Sequence, residues 1–223
     1  MRCATWNVRH GRPRRGFTSN RRLAASVHDL DVDVLAVQEI ERHVIRSWFA
    51  DQPALLANAL DADAHAYAPA RSLAITGSDG IALCVRGEIT RHEAIELPHE
   101  EGQPRVALLA ELDIAGSAIT VVTTHLQNEE HEARRQLEWL LARLQSVDGP
   151  CILMGDLNLR PNDIDALVTG AGFALAGGGP TNPADAPVQQ IDHIAVREMT
   201  VEDVHVGTAL VSDHLPLIAS LSV

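Results

Sequence analysis

Short runs rich in Val, Ile, Leu and Ala recur along the chain with turn residues between them. They predict strands near 2–8, 33–39, 81–86, 89–97, 105–114, 117–125, 151–156, 191–196, 200–206 and 215–222. Only Ala115 and Gly116 separate 105–114 from 117–125, so that pair reads as an antiparallel hairpin. A helical period takes over in 129–146. There Ala133, Leu137, Leu140, Leu141 and Leu144 fall on one stripe, and Glu130 and Arg134 pair at i, i+4 on the other side. Further helices are predicted over 20–29, 50–60 and 162–170, the last following Pro161 at a first-turn position. The runs at 34–37, 121–122 and 151–154 are apolar without alternation, as in central strands covered on both faces. An α/β architecture follows, with mixed sheets and helices outside them. No internal repeat is visible, and 171–190 reads as a Gly/Pro-rich loop.

The chain has 223 residues, enough for one core burying roughly 70–75% of the unfolded surface, and no linker divides it, so 1–223 is expected to be a single domain. A net charge of −12 argues against broad attraction to nucleic acid or anionic lipid. The charge is unevenly spread, however. Arg9, Arg12, Arg14, Arg15, Arg21 and Arg22 lie in a stretch with no acid, and every basic side chain is Arg, whose guanidinium can fork onto phosphate oxygens. On composition alone this stretch is a solvated loop and the start of a helix. Cys3, Cys84 and Cys151 are odd in number and sit in apolar runs, which fits buried thiols in a reducing compartment and leaves no structural zinc pattern. The chain passes from Met1 straight into a strand-like segment, and no run reaches membrane-spanning length. A soluble cytoplasmic protein without membrane insertion is expected, its oligomeric state left open.

Several buried-looking strands end in polar residues. The strand 2–8 closes at Asn7, 33–39 at Glu39, 117–125 at His125, and 151–156 at Asp156 with Asn158 just beyond. Asp192 and His193 open another strand, and Ser212, Asp213 and His214 precede the last. A carboxylate at the edge of an apolar strand is expensive to desolvate unless it is paired or binds a cation. Each residue taken alone has a structural explanation: Asn7 satisfying a loop, Glu39 pairing with Arg42, His125 as a hydrogen-bonded core histidine. Together they favour a shared one. Carboxylates and amide oxygens suit Mg²⁺ or Mn²⁺, which keeps positions for water and phosphate oxygen, while histidines serve proton transfer. Strand ends are where ligand sites gather in layered α/β folds.

The segments "TWN" at 5–7, "VLAVQEIE" at 34–41, "PRVALLAEL" at 104–112, "TTHL" at 123–126, "RRQ" at 134–136, "GDLN" at 155–158, "IDHI" at 191–194 and "SDHLP" at 212–216 occur in this order over nearly the whole chain. The ordered set resembles the endonuclease/exonuclease/phosphatase superfamily, which includes deoxyribonuclease I, abasic-site endonucleases, neutral sphingomyelinases and inositol polyphosphate 5-phosphatases. The resemblance implies a four-layered α/β sandwich of two facing mixed sheets flanked by helices. It implies Glu39 as principal metal ligand, with Asn7 beside it and Asp213 completing the metal side. It implies Asp156 as the residue that orients or deprotonates the attacking water, and Asn158 as one that holds the phosphate. His214 would touch the scissile phosphate with Asp192 as its partner, His125 matches a histidine of deoxyribonuclease I and the sphingomyelinases, and either His125 or His214 would assist the leaving oxygen. Arg12, Arg14 and Arg15, in the loop leaving the Asn7 strand end, are the expected phosphate clamp.

There are departures from the family pattern. Arg9 stands where abasic-site endonucleases carry an acid, Arg86 only partly matches a family "SR", and Asp79 is a partner for His125 on position alone. The expected activity is Mg²⁺- or Mn²⁺-dependent hydrolysis of a phosphodiester in a small molecule, phospholipid head group or sugar phosphate. A DNA or RNA nuclease is the alternative, weakened by the charge and by having only three Trp, one Tyr and three Phe for base stacking. A catalytically silent binding module is a third reading. The calcineurin-like metallophosphatases are set aside, because their GNH and GHxH motifs are absent.

Overall fold

The computed structural model describes residues 1–73, 77–100 and 102–223. Two six-stranded sheets lie face to face. The first contains β1 (Arg2–Asn7), β2 (Val34–Arg42), β3 (Ala64–Leu73), β4 (Gly77–Val85), β11 (Thr200–Val206) and β12 (Leu217–Ser222), in the order β11-β12-β1-β2-β4-β3. The second contains β5 (Glu88–Glu96), β6 (Val106–Ile114), β7 (Ser117–His125), β8 (Cys151–Asp156), β9 (Ala174–Leu175) and β10 (Asp192–Arg197), in the order β5-β6-β7-β8-β10-β9. The sequence shows no repeat, yet both sheets follow one plan. Each has one parallel pair at its centre, β1 with β2 and β7 with β8, flanked by antiparallel neighbours.

Side-chain alternation makes the layers. In β2, Val34 and Ala36 face the second sheet, where they meet Leu108, Val121, Met154 and Ile194. Leu35 and Val37 face outward onto Leu23, Val27, Leu56 and Leu60 of α1 (Asn20–His28) and α2 (Gln52–Leu60). On the far side, α3 (Glu130–Leu144) and α4 (Pro161–Gly170) lay Leu137, Leu140, Ile164 and Val168 on Val122 and Leu153. The predicted stripe of α3 is the buried one. The result is the expected four-layered sandwich, and the non-alternating runs are strands covered on both faces.

Three differences from the sequence reading have local causes. β3 went unpredicted because its Ala, His, Arg and Pro69 carry no strand signal; it is an edge strand, where a missing N–H is tolerated, and its register shifts between Pro69 and Arg71. β4 starts at Gly77, ahead of the predicted 81, since "GSDG" resembles a turn. β2 does not end at Glu39 but continues to Arg42 through a bulge between Gln38 and Ile40. No helix among the described residues is long and apolar enough to cross a membrane.

Candidate active site

The parallel pairs bring the C-terminal ends of β1, β2, β7 and β8 to one edge of the sandwich. Their antiparallel neighbours bring the start of β10 and the segment before β12 to the same edge. In the second sheet His125, Asp156 and Asp192 are direct cross-strand neighbours. In the first, Asn7 lies opposite Gln38, and Glu39 follows in the bulge with φ of 52°. Bulges re-aim side chains next to active sites, and this one stands Glu39 at the cavity instead of continuing the strand pattern. Gly155 permits the tight approach of β7 to β8, because a Cβ there would lie 2.0 Å from the Thr124 carbonyl oxygen, at a φ of 156°.

Asp156 is the meeting point of the two sheets. Its Oδ2 accepts a hydrogen bond from Nδ2 of Asn7 at 2.9 Å, and the same amide donates to Oε1 of Glu39 at 3.1 Å. Nε2 of His125 lies 3.5 Å from that oxygen, and Nε2 of His214 lies 3.8 Å from it. Oδ1 of Asp156 accepts the Asn158 backbone N–H at 3.2 Å. On its other side His214 donates from Nδ1 to Oδ2 of Asp192 at 2.8 Å, and the Thr181 hydroxyl donates to the same oxygen at 2.5 Å. The histidine is fixed through its backbone too. Trp6 Nε1 donates to its carbonyl at 2.9 Å, and its N–H donates to Ser212 Oγ, whose hydroxyl in turn donates to the Asn7 carbonyl. One layer below, the Gln38 amide donates to Thr5 Oγ1 at 3.0 Å and to Thr123 Oγ1 at 3.1 Å, pinning the sheets together under the site.

Burial and charge set the protonation states. Burial first, then the Asp192 charge, push the Asp156 carboxyl up to about 7. Burial works against charge on His214, but the Asp192 and Asp156 carboxylates outweigh it and raise the imidazole to about 10. His125 moves the opposite way: burial, Arg105 and His214 hold it well below the usual histidine range, so it is neutral. Two histidines on one carboxylate therefore carry different charge.

A cavity of about 210 Å³ opens beside this cluster, between Glu39, His125 and three arginines, Arg46, Arg71 and Arg105. Arg46 is ion-paired with the buried Glu41, and Arg71 donates to Asp79 at 2.8 Å. Arg105 donates to Asn128 Oδ1 at 3.2 Å, while its buried Nε has no hydrogen-bond partner among the described residues. His10 lines the same wall, and burial followed by the Arg46 charge lower it to about 3.

Of the residues expected from sequence, the structure brings together Asn7, Glu39, His125, Asp156, Asp192 and His214. Others are engaged elsewhere. Asp213 pairs with Arg9 at 3.2 Å. The Asn158 side chain donates to the Leu126 carbonyl at 3.0 Å and to Asn128. Arg12, Arg14 and Arg15 do not line the cavity: Arg12 donates to the Gly16 carbonyl, Arg14 grips Asp185, and Arg15 borders a separate depression. Asp79 lines the cavity but holds Arg71 there, while Arg42 pairs with Asp51 and Arg86 binds Asp31 and the Leu60 carbonyl away from the site. Sequence reasoning missed Arg46, Arg71, Arg105, Glu41, His10 and Thr181. Arg105 and Glu41 carried a signal, lying in the "PRVALLAEL" and "VLAVQEIE" segments.

The oxygen donors fit a hard divalent cation. Carboxylates from opposite sheets, Glu39 and Asp156, converge on one neutral amide, and Oδ1 of Asp192 is buried with no partner among the described residues. Ligand atoms of Asp156, Asp192 and His214 also lie within 4.8 Å of one another. His214 is a protonated, hydrogen-bonded member of that group, so the oxygen side at Glu39 and Asp156 suits a cation better.

Over residues 4–214 the sequence matches the Endonuclease/Exonuclease/phosphatase family. No curated protein sequence matches it. Among solved structures, an endonuclease/exonuclease/phosphatase from Beutenbergia cavernae superimposes with a TM-score of 0.83 at 22% identity, covering 100% of this chain and 71% of that one. The mannosyl-6-phosphatase Bt3783 of Bacteroides thetaiotaomicron gives 0.75 at 17% identity with 100% of both chains covered. A truncated Caenorhabditis elegans TDP2 gives 0.75 at 17%, covering 100% of this chain and 97% of that one. At these identities the structural likeness concerns the fold.

Proposed function

The chain belongs to the endonuclease/exonuclease/phosphatase family, and from that premise we propose that it is a divalent-metal-dependent phosphoesterase. Its substrate in this reading is a phosphodiester in a small molecule, phospholipid head group or sugar phosphate, cleaved by in-line attack of water. The observation that carries the proposal is the convergence of Asn7, His125 and His214 on one oxygen of Asp156, with Glu39 tied to the same amide.

Each side chain then has a task set by its surroundings. Asp156, poised near 7, orients the attacking water and takes up its proton. His214, held as imidazolium by Asp192, donates through Nε2 to the phosphate and its developing charge. His125, neutral and adjacent, assists the leaving oxygen. Arg105 offers its unpaired Nε to a phosphate oxygen from the cavity wall. A Mg²⁺ or Mn²⁺ ion held by Glu39, with Asn7 and Asp156 beside it, would supply neutralisation of charge on the phosphoryl oxygens. Support for a sugar phosphate comes from the mannosyl-6-phosphatase that shares the fold.

The test is hydrolysis of bis(p-nitrophenyl) phosphate, p-nitrophenyl phosphate and plasmid DNA in parallel, with His214→Ala as control. Preferred turnover of the diester, reduced about 10²–10⁴-fold in the variant, is expected. Plasmid cleavage that falls steeply with added salt would instead favour a nuclease. That second reading has one observation behind it: Arg12, Arg15, Arg21 and Arg22 are exposed and form no ion pair among the described residues.

A further inference from the structure

The loop between β1 and α1 and the turn between β2 and α2 put four large apolar side chains into solvent. Phe17 is 90% exposed, Trp48 76%, Ile45 73% and Phe49 55%. In a chain with three Trp, one Tyr and three Phe, one Trp and two Phe thus stand outside the core in two neighbouring segments. The segments are tied together. Asn20 Nδ2 donates to the Ser47 carbonyl at 2.9 Å, and Gln52 Nε2 donates both to the His10 carbonyl at 3.0 Å and to Asn20 Oδ1 at 2.9 Å.

The turn is also fixed in shape. Trp48 and Phe49 adopt φ of 60° and 57°, values that bulky residues rarely hold, and the Phe49 N–H donates to the Val44 carbonyl at 2.9 Å. Arg46, between Ile45 and Ser47, lines the catalytic cavity, so the apolar rim borders the site. On either side of Phe17 in the sequence, Arg12, Arg15, Arg21 and Arg22 are exposed without ion pairs among the described residues, on a chain whose net charge is −12. Single exposed apolar residues need no explanation; four on two tied segments, one of which also carries four exposed cations, do.

We propose that this rim docks the protein on an anionic phospholipid surface. Phe17, Ile45, Trp48 and Phe49 enter the head-group region, and the arginines flanking Phe17 in the sequence meet lipid phosphates. The side chains choose between anionic partners. A platform for single-stranded nucleic acid stacks bases on aromatic faces along a charged groove, whereas Ile45 has no π-face and Phe17 protrudes almost free of neighbours. The net negative charge does not forbid docking, since it is screened beyond about 8 Å at physiological salt and only the rim approaches the surface.

Binding is read without turnover, so the result stands apart from the hydrolytic reading. In a Trp139→Phe background, Trp48 is the remaining exposed tryptophan, Trp6 being buried. Vesicles of phosphatidylglycerol and phosphatidylcholine should co-sediment the protein and shift its emission to the blue. Phe17→Ser/Trp48→Ser, made with Trp139 retained, should lower vesicle partitioning at least about tenfold relative to wild type while leaving hydrolysis of soluble bis(p-nitrophenyl) phosphate unchanged. Failure of the wild type to bind anionic vesicles, or equal partitioning of the variant, overturns the proposal. An emission change with a single-stranded oligonucleotide but not with vesicles overturns it in favour of nucleic acid.

Discussion

Nδ1 of His214 lies 2.8 Å from Oδ2 of Asp192, and this bond turns the opposite ring nitrogen toward Asp156, 3.8 Å away. The imidazole thus stands between two carboxylates that are neighbours across β8 and β10. Their charge keeps it protonated up to about 10 despite its burial. A cation fixed in this way can donate to a phosphate without titrating at neutral pH.

Asp192→Asn tests that role. The wild-type imidazolium is lost as pH rises through about 10, so Mg²⁺-supported kcat should hold across neutral pH and fall on the alkaline side. Removing the Asp192 charge moves that fall toward lower pH and reduces kcat at neutral pH at least about tenfold. An alkaline limb that stays in place would show that Asp192 does not set the charge of His214.

Asp156→Asn should separate activity from stability. The Asp156 carboxyl is raised from 3.8 to about 7, so its contribution favours the fold at low pH and is lost as pH rises through about 7. An asparagine has no such dependence. In chelated protein the Tm of the variant relative to wild type should climb between about pH 4 and 7 and level off above, while hydrolysis is lost. A flat difference across this range would place the ionisation elsewhere.

Arg105→Met should lower kcat/KM for a diester about 10- to 100-fold, the worth of a charge-assisted hydrogen bond. Its Nε is buried without a partner among the described residues, and burial disfavours its charge, so the fold itself should not weaken in a urea titration. Retained kcat/KM would remove Arg105 from substrate contact.

The strands and the polar edge were legible because sequence pattern reports them directly. Apolar runs such as 34–37 have one physical home, between two layers, and the residues closing them must reach the same edge when strands run parallel. The bulge at Glu39 was not legible, since its continuation to Arg42 depends on pairing with β4. Nor were the cavity arginines. Arg46 lies in a turn, Arg71 in an edge strand interrupted by Pro69, and their carboxylate partners are set by folding, which gives Asp79 to Arg71 instead of His125. The Arg12, Arg14 and Arg15 cluster drew notice by composition, yet composition does not say which way a loop turns.

Gln38→Leu tests the join between the sheets. Its amide serves the hydroxyls of Thr5 and Thr123, and leucine leaves both buried groups without that partner. A loss of about 1–3 kcal/mol in urea unfolding is expected. A change below about 0.5 kcal/mol would mean the hydroxyls find other partners.

The most direct measurement is hydrolysis of bis(p-nitrophenyl) phosphate by chelated protein as Mg²⁺ or Mn²⁺ is added back, for wild type and Glu39→Ala. No turnover without metal is expected, with recovery in the wild type and at least about 10²-fold less in the variant at every metal concentration. Equal turnover before and after chelation, or full recovery in Glu39→Ala, would contradict it.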